Sequence, residues 1–177
     1  MCLIDTTPRI ETRRLTLRAP RMEDAPRLAD LCNDFDIARM LSRMPWPYGL
    51  EDAEGFIAAC ALADRRTDAA FLIEHDDEGV VGGLGFHTRD DQPLEVGYWI
   101  GKPFRGRGIA SEALIGAMGW AGRDWRKRVV AAGHFSDNPA SGRVLCRAGF
   151  LYTGQVVLQA CNARSETVPS RAMIWLA

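Results

Sequence analysis

The chain has 177 residues, 47% hydrophobic and 25% charged, with a formal net charge of -1; this is the size and mix of one globular domain, with too little chain for a second. No apolar run approaches the roughly 20 residues of a membrane span, and Met1-Cys2-Leu3-Ile4-Asp5 lacks the charged-then-apolar order of a secretory leader, so a cytoplasmic location with no membrane partner is expected. The five cysteines, Cys2, Cys32, Cys60, Cys146 and Cys161, are odd in number, widely spaced and never in a CxxC pair, which argues against a disulfide framework or a zinc site.

Arg14-Leu15-Thr16-Leu17-Arg18 alternates as a strand does, and Asp24 to Leu31 then places Ala25, Leu28, Ala29 and Leu31 at helical spacing. Two prolines make Met44-Pro45-Trp46-Pro47-Tyr48-Gly49 a loop; Glu51 to Ala63 follows as a helix with Ala53, Phe56, Ile57, Cys60 and Ala61 on one face. Ala70 to Glu74, Gly79 to His87 and Leu94 to Ile100 read as an antiparallel meander with polar turns at His75 to Glu78 and Asp90 to Pro93. Gly106 to Gly122 is helical, Val129 to Phe135 is a strand, and Asn138 to Ala148 is a helix stopped at Gly149. Phe150 to Leu158 and Thr167 to Leu176 close the chain as a hairpin. The order β-α-α-β-β-β-α-β-α-β-β is a mixed α/β domain around one sheet, partly antiparallel and partly parallel.

The segment Trp99-Ile100-Gly101-Lys102-Pro103-Phe104-Arg105-Gly106-Arg107-Gly108-Ile109-Ala110 leads from a strand into a helix whose first turn is small. A helix N-terminus leaves about four N–H groups without partners and carries roughly half a positive charge, so it suits phosphate oxygens. Glycines at 106 and 108 let a pyrophosphate approach, and Lys102, Arg105 and Arg107 add positive charge. The wider charge pattern agrees: Glu51 to Glu78 is acidic and Lys102 to Arg128 basic, as would suit a cationic substrate and an anionic cofactor. A P-loop would need a lysine and a hydroxyl after the second glycine, where Arg107-Gly108 stands; a dinucleotide fingerprint would need a third glycine, where Ser111 stands. Arg123-Asp124-Trp125-Arg126-Lys127-Arg128 is too short a basic run, with no recognition motif, to suggest a nucleic-acid partner.

The remaining pattern, [QR]-x-x-G-x-[GA] at Arg105-Gly106-Arg107-Gly108-Ile109-Ala110, resembles the pyrophosphate signature of the Gcn5-related N-acetyltransferase (GNAT) superfamily. The resemblance runs from Thr12-Arg13-Arg14-Leu15-Thr16-Leu17-Arg18 to Trp175. Glu95-Val96-Gly97-Tyr98-Trp99-Ile100, Gly108 to Leu114 and Asn138-Pro139-Ala140-Ser141 through Gly149-Phe150 look like the ribosomal-protein alanine acetyltransferase branch (RimJ/RimL-like). It implies a single acetyltransferase domain over 1–177, with its core at 9–177. The implied α/β GNAT fold is a mixed, mostly antiparallel twisted sheet flanked by helices, splayed between the fourth and fifth strands. It also implies an enzyme that moves the acetyl group of acetyl-CoA, without a metal, to the primary amine of a small molecule or a protein N-terminus by direct attack in a ternary complex. The chain would act as a monomer or homodimer. A non-catalytic acetyl-CoA sensor is the alternative.

Such a transfer needs a neutral amine, donors for the oxyanion and a proton for the departing thiolate. Glu95 is the candidate base, through water, or else a surface acid at a strand end; Asp91, His87 and His134 are substitutes, although a strand histidine is more often structural. By resemblance, Tyr98, Trp99 and Ile100 present backbone groups to the pantetheine arm, and Arg105, Gly106, Arg107, Gly108, Ile109, Ala110 and Ser111 hold the pyrophosphate. Asn138 contacts the cofactor arm and Ser141 supplies the proton, since Leu145 stands where many relatives carry a tyrosine. Asp137 or Asn138 is equally a natural helix cap with Pro139 at the first turn. Trp46 and Tyr48 are expected in the acceptor wall, or in the core beneath it.

Overall fold

The computed structural model describes residues 7–88 and 93–177. Its strands are β1 (Ile10–Glu11), β2 (Leu15–Arg18), β3 (Ala69–His75), β4 (Gly79–His87), β5 (Glu95–Ile100), β6 (Val129–Phe135), β7 (Leu151–Cys161) and β8 (Glu166–Leu176). Helices α1 (Ala25–Cys32), α2 (Phe35–Ala38) and α3 (Leu50–Leu62) stand between β2 and β3, α4 (Ile109–Arg123) between β5 and β6, and α5 (Pro139–Arg147) between β6 and β7. The strands form one sheet in the order β1-β2-β3-β4-β5-β6-β8-β7. Every neighbouring pair is antiparallel except β5 with β6.

The expected elements are present, with two short additions. β1 is only two residues and α2 only four, lengths at which no periodicity can develop. The expected apolar face of α3 narrows to Ala53 and Ile57; Phe56 is 42% exposed and Ala61 is exposed, because α3 lies on α1 by one stripe and turns the rest to solvent. The turn expected at Asp90 to Gln92, the candidate base Asp91, and Cys2 with the rest of the N-terminal pentapeptide lie outside the described residues. Of the remaining cysteines, Cys32 and Cys161 are buried, Cys60 is half-buried and Cys146 is exposed.

The two faces of the sheet are covered by different helices. α4 buries Ile109, Ala113, Leu114, Ala117, Met118 and Ala121 at helical spacing, and its Trp120 meets Phe71 and Phe86 of the sheet at 5.4 and 6.2 Å between ring centroids. Alternation therefore places Val96, Tyr98 and Ile100, across from Phe86, Leu84 and Gly82, on the α4 face. Glu95, Gly97 and Trp99 take the other face. The indole of Trp99 lies over β4 so closely that a Cβ on Gly83 would be 2.7 Å from its Nε1.

The N-terminus of α4 is braced by the chain's first ordered residues. Glu112 accepts from the Thr12 hydroxyl at 2.7 Å, from the Arg14 backbone N–H at 2.8 Å and from Arg14 Nε at 2.9 Å, while Arg14 Nη2 donates to the carbonyl of Arg107 at 3.2 Å. Burial alone would raise the Glu112 pKa, but the hydrogen bonds from Thr12 and Arg14 outweigh it and hold the carboxyl below its ordinary value. A depressed folded-state pKa stabilises the fold above the unfolded value and is lost as pH falls through the folded one. Glu112→Gln should therefore cost about 1–2 kcal/mol at neutral pH, at the low end because Arg14 is partly exposed. Urea titrations at several pH values should show the wild-type advantage shrink below the ordinary carboxylate range.

Candidate active site

β5 and β6 are bridged at one place. Glu95 stands beside Ala131, and the Ala131 N–H donates to the carbonyl of Leu94 at 2.7 Å. Beyond it β5 keeps its register only with β4, and β6 only with β8. Because the Gly101 N–H turns to Val81 on β4, alternation turns the backbone groups of Tyr98 and Ile100 toward the gap. A groove of about 560 Å³ fills this gap, lined by Val96 to Ile100, by Gly133 and His134 of β6, by α5, and by the turn entering α4.

That turn has the features an anion site requires. Gly106 and Gly108 both have positive φ, +76° and +77°, where an L side chain is strained, and Gly108 is the N-cap of α4. No side chain caps this helix end, so its first N–H groups are left to the groove. Gly106, Gly108, Ile109, Ala110, Ser111 and Arg105 all line it. Arg107 does not: its guanidinium lies 3.2 Å from Glu78. Arg105 donates through Nε to the Ile100 carbonyl at 3.2 Å and faces Asp34 at 3.9 Å, and Lys102 faces Asp36 at 3.7 Å. With its cations already opposite carboxylates, the turn offers an anion chiefly backbone N–H groups and the α4 dipole.

Across the groove, Asn138 caps α5 by accepting from the Ser141 N–H at 3.2 Å, so the capping role read from the sequence is realised. Ser141 Oγ is 2.8 Å from the Tyr98 hydroxyl, which also reaches the Ser141 carbonyl at 3.1 Å. Burial pushes the Tyr98 phenol up to about 12, against a smaller lowering by Ser141. A protonated phenol thus stands behind the serine throughout the neutral range. This hydroxyl pair was not legible in the sequence, since β5 and α5 are joined only by folding. His134 lines the groove but is committed on both sides: Nδ1 donates to the Phe135 carbonyl at 2.8 Å, which leaves Nε2 to accept from the Tyr152 hydroxyl at 3.0 Å. It is structural here and has no lone pair left for a base.

Other candidates stand apart. Glu95 is at the vertex of the splay, outside the groove lining, with Oε2 3.4 Å from His87 Nε2 across the strand pair. Between Glu95 and Trp99, Gly97 faces open space. The acceptor wall expected at Trp46 and Tyr48 is corrected: neither lines the groove. Tyr48 is 7% exposed and packed in the core because its backbone N–H is tied to Asn33 at 3.2 Å, while Trp46 is half-exposed and rests edge-on against Phe35 at 5.1 Å. The wall is formed instead by Ile37, Arg39, Met40 and Leu41, on and just after α2. The tip of the β7–β8 hairpin holds that segment, with Asn162 donating to the Ser42 and Arg43 carbonyls at 3.0 Å and Arg164 to the Arg39 carbonyl at 2.8 Å. Ala140, Val144 and Arg147 recur at helical spacing along α5 and also line the groove, a signal the sequence did carry. Among the described residues no three His, Cys, Asp or Glu gather where a metal could be held, and no helix is long and apolar enough to cross a membrane.

A family model for the acetyltransferase (GNAT) domain matches residues 14–151. The uncharacterized N-acetyltransferase YoaA of Bacillus subtilis (strain 168) is 28% identical over 157 residues, 83% of this chain and 85% of that protein. The [ribosomal protein uS5]-alanine N-acetyltransferase of Escherichia coli (strain K12) is 26% identical over 154 residues, 80% of this chain and 77% of that protein. Among solved structures, RimL, a ribosomal L7/L12 alpha-N-protein acetyltransferase in complex with coenzyme A, superposes with a TM-score of 0.83 at 23% identity, covering 96% of this chain and 98% of that one.

The Tyr98–Ser141 pair can be tested by stability alone. Tyr98→Phe and Ser141→Ala should each cost about 1 kcal/mol, and the double variant less than their sum by about 0.5 kcal/mol or more. Additive losses in urea denaturation would mean the two hydroxyls are not coupled.

Proposed function

The chain belongs to the GNAT family of N-acetyltransferases, and on that footing we propose that it works as a single domain carrying the acetyl group of acetyl-CoA to a primary amine by direct attack in a ternary complex. The observation that carries this reading is the splay of β5 from β6 in line with the uncapped, glycine-bearing N-terminus of α4. The turn from Gly106 to Ser111 suits the pyrophosphate, and the free backbone groups of Tyr98 and Ile100 suit an amide-bearing pantetheine arm lying along β5 as a strand would. Asn138 already spends its Oδ1 on the α5 cap, which leaves its amide nitrogen for the same arm. Arg105 and Arg107 would serve by holding the turn in shape.

The amine nitrogen bonds to the thioester carbonyl carbon, the carbon–sulfur bond breaks, the amine loses a proton and the sulfur gains one. Ser141 is proposed to give the sulfur its proton and to draw a replacement from the Tyr98 hydroxyl, whose burial keeps it protonated. Glu95 is proposed to take the amine proton through water over Gly97, where the missing side chain leaves room. A carboxylate at the closed end of the gap also favours a cationic acceptor. The acceptors named for the ribosomal-protein relatives make a protein N-terminal amine the first to try, ahead of a small-molecule amine.

The test is an acceptor screen, N-terminal peptides and small amines with acetyl-CoA, read by mass spectrometry and by coenzyme A release. A gain of one acetyl group on some amine is expected; tight binding of acetyl-CoA with no release over a broad panel would leave only a sensor. Two variants separate binding from chemistry. Gly108→Trp should weaken acetyl-CoA binding in calorimetry by more than about tenfold, close to 1.4 kcal/mol. Glu95→Gln should lower kcat by about a hundredfold while leaving that affinity nearly unchanged. Equal rates for Glu95→Gln and wild type across pH would remove Glu95 from the reaction.

A further inference from the structure

The two edges of the sheet are built differently. β1 is two residues long, contains Glu11 and follows Arg9, which pairs with it at 3.1 Å, so shortness and charge protect that edge. β7, at the opposite edge, runs for eleven residues, Leu-Tyr-Thr-Gly-Gln-Val-Val-Leu-Gln-Ala-Cys, with no charged residue and no proline. Its first eight residues are all exposed, among them Leu151 at 65%, Val156 at 60% and Leu158 at 72%. The register shift between Tyr152 and Val156, at Gly154 with φ of +84°, bends only the start of the strand; from Val156 to Cys161 it pairs regularly with β8. That stretch leaves one row of backbone N–H and C=O groups facing outward, with Val156 and Leu158 on one side and Val157 on the other.

We propose that β7 is an association surface and that its partner is a second copy of this chain, joined strand edge to strand edge about a twofold axis. An outward row of donors and acceptors is satisfied by another strand, and identical strands run antiparallel are complementary to themselves under that symmetry. Charge selects the occupant: a strand without charged residues meets its own copy without repulsion, whereas it offers no ion pair to an acidic or basic peptide. The area is of the right order. Leu151, Tyr152, Val156, Val157 and Leu158 together expose roughly 600 Å² per copy, against the ~800 Å² each partner contributes to a standard interface, and the strand backbone with Thr153 and Gln155 adds to it. The pairing leaves the groove between β5 and β6 open, since β8 and β6 separate it from the edge.

Sedimentation velocity and light scattering on the full chain test this. The wild type should have twice the 19.6 kDa chain mass. Val156→Lys and Leu158→Lys, made separately at exposed positions, should each return it to the single-chain mass with an unchanged far-UV circular dichroism spectrum. Amides of 156–160 should exchange hydrogen at least about tenfold more slowly in the wild type than in either variant. A wild type of single-chain mass up to its solubility limit would overturn the proposal. So would a wild-type assembly that neither variant dissociates, and in that case the partner surface lies elsewhere.

Discussion

The structure turns on a sheet that stops pairing in its middle. One bridge, Glu95 beside Ala131, joins β5 to β6, and the strands then separate. Buried backbone groups need partners, and here the partners of Tyr98 and Ile100 are withheld by the fold itself. Such a gap persists only because each strand is secured on its other side, β5 by six residue pairs with β4 and β6 by seven with β8. The site is thus a deliberate interruption in an otherwise complete ladder, set between two rigid half-sheets.

The groove collects its chemistry from both walls of that gap. α4 enters from one side with a helix end that no side chain caps, and Glu112 with Arg14 keeps the turn before it in place. α5 enters from the other, where Asn138 fixes the first turn and Ser141 meets Tyr98. Close approach is what the glycines provide. At Gly142 a Cβ would come within 2.5 Å of the Tyr152 hydroxyl and 2.7 Å of His134 Nε2, so α5 can lie against β6 only with no side chain there. The basic residues near the turn are balanced by Asp34, Asp36 and Glu78. Backbone dipoles and shape therefore outweigh side-chain charge as the basis of the anion site. The formal basic run gave a different impression because the partner acids are far away in sequence.

What the sequence determined by itself was local. The 3.6-residue spacing of Ile109, Ala113, Leu114 and Ala117, the two-residue alternation of the strands, Pro139 after Asn138 and the glycines at 106, 108 and 149 each carry their physical cause within a few residues, and the elements appeared where those causes stand. The tertiary structure decided what depends on distant residues. It removed Tyr48 to the core, committed His134 to Phe135 and Tyr152, brought Tyr98 to Ser141 over 43 intervening positions, and formed the acceptor wall from a helix too short to show a period. Whether a hydroxyl finds a partner or an aromatic ring finds solvent is set by which strands become neighbours, and that is a property of the whole sheet.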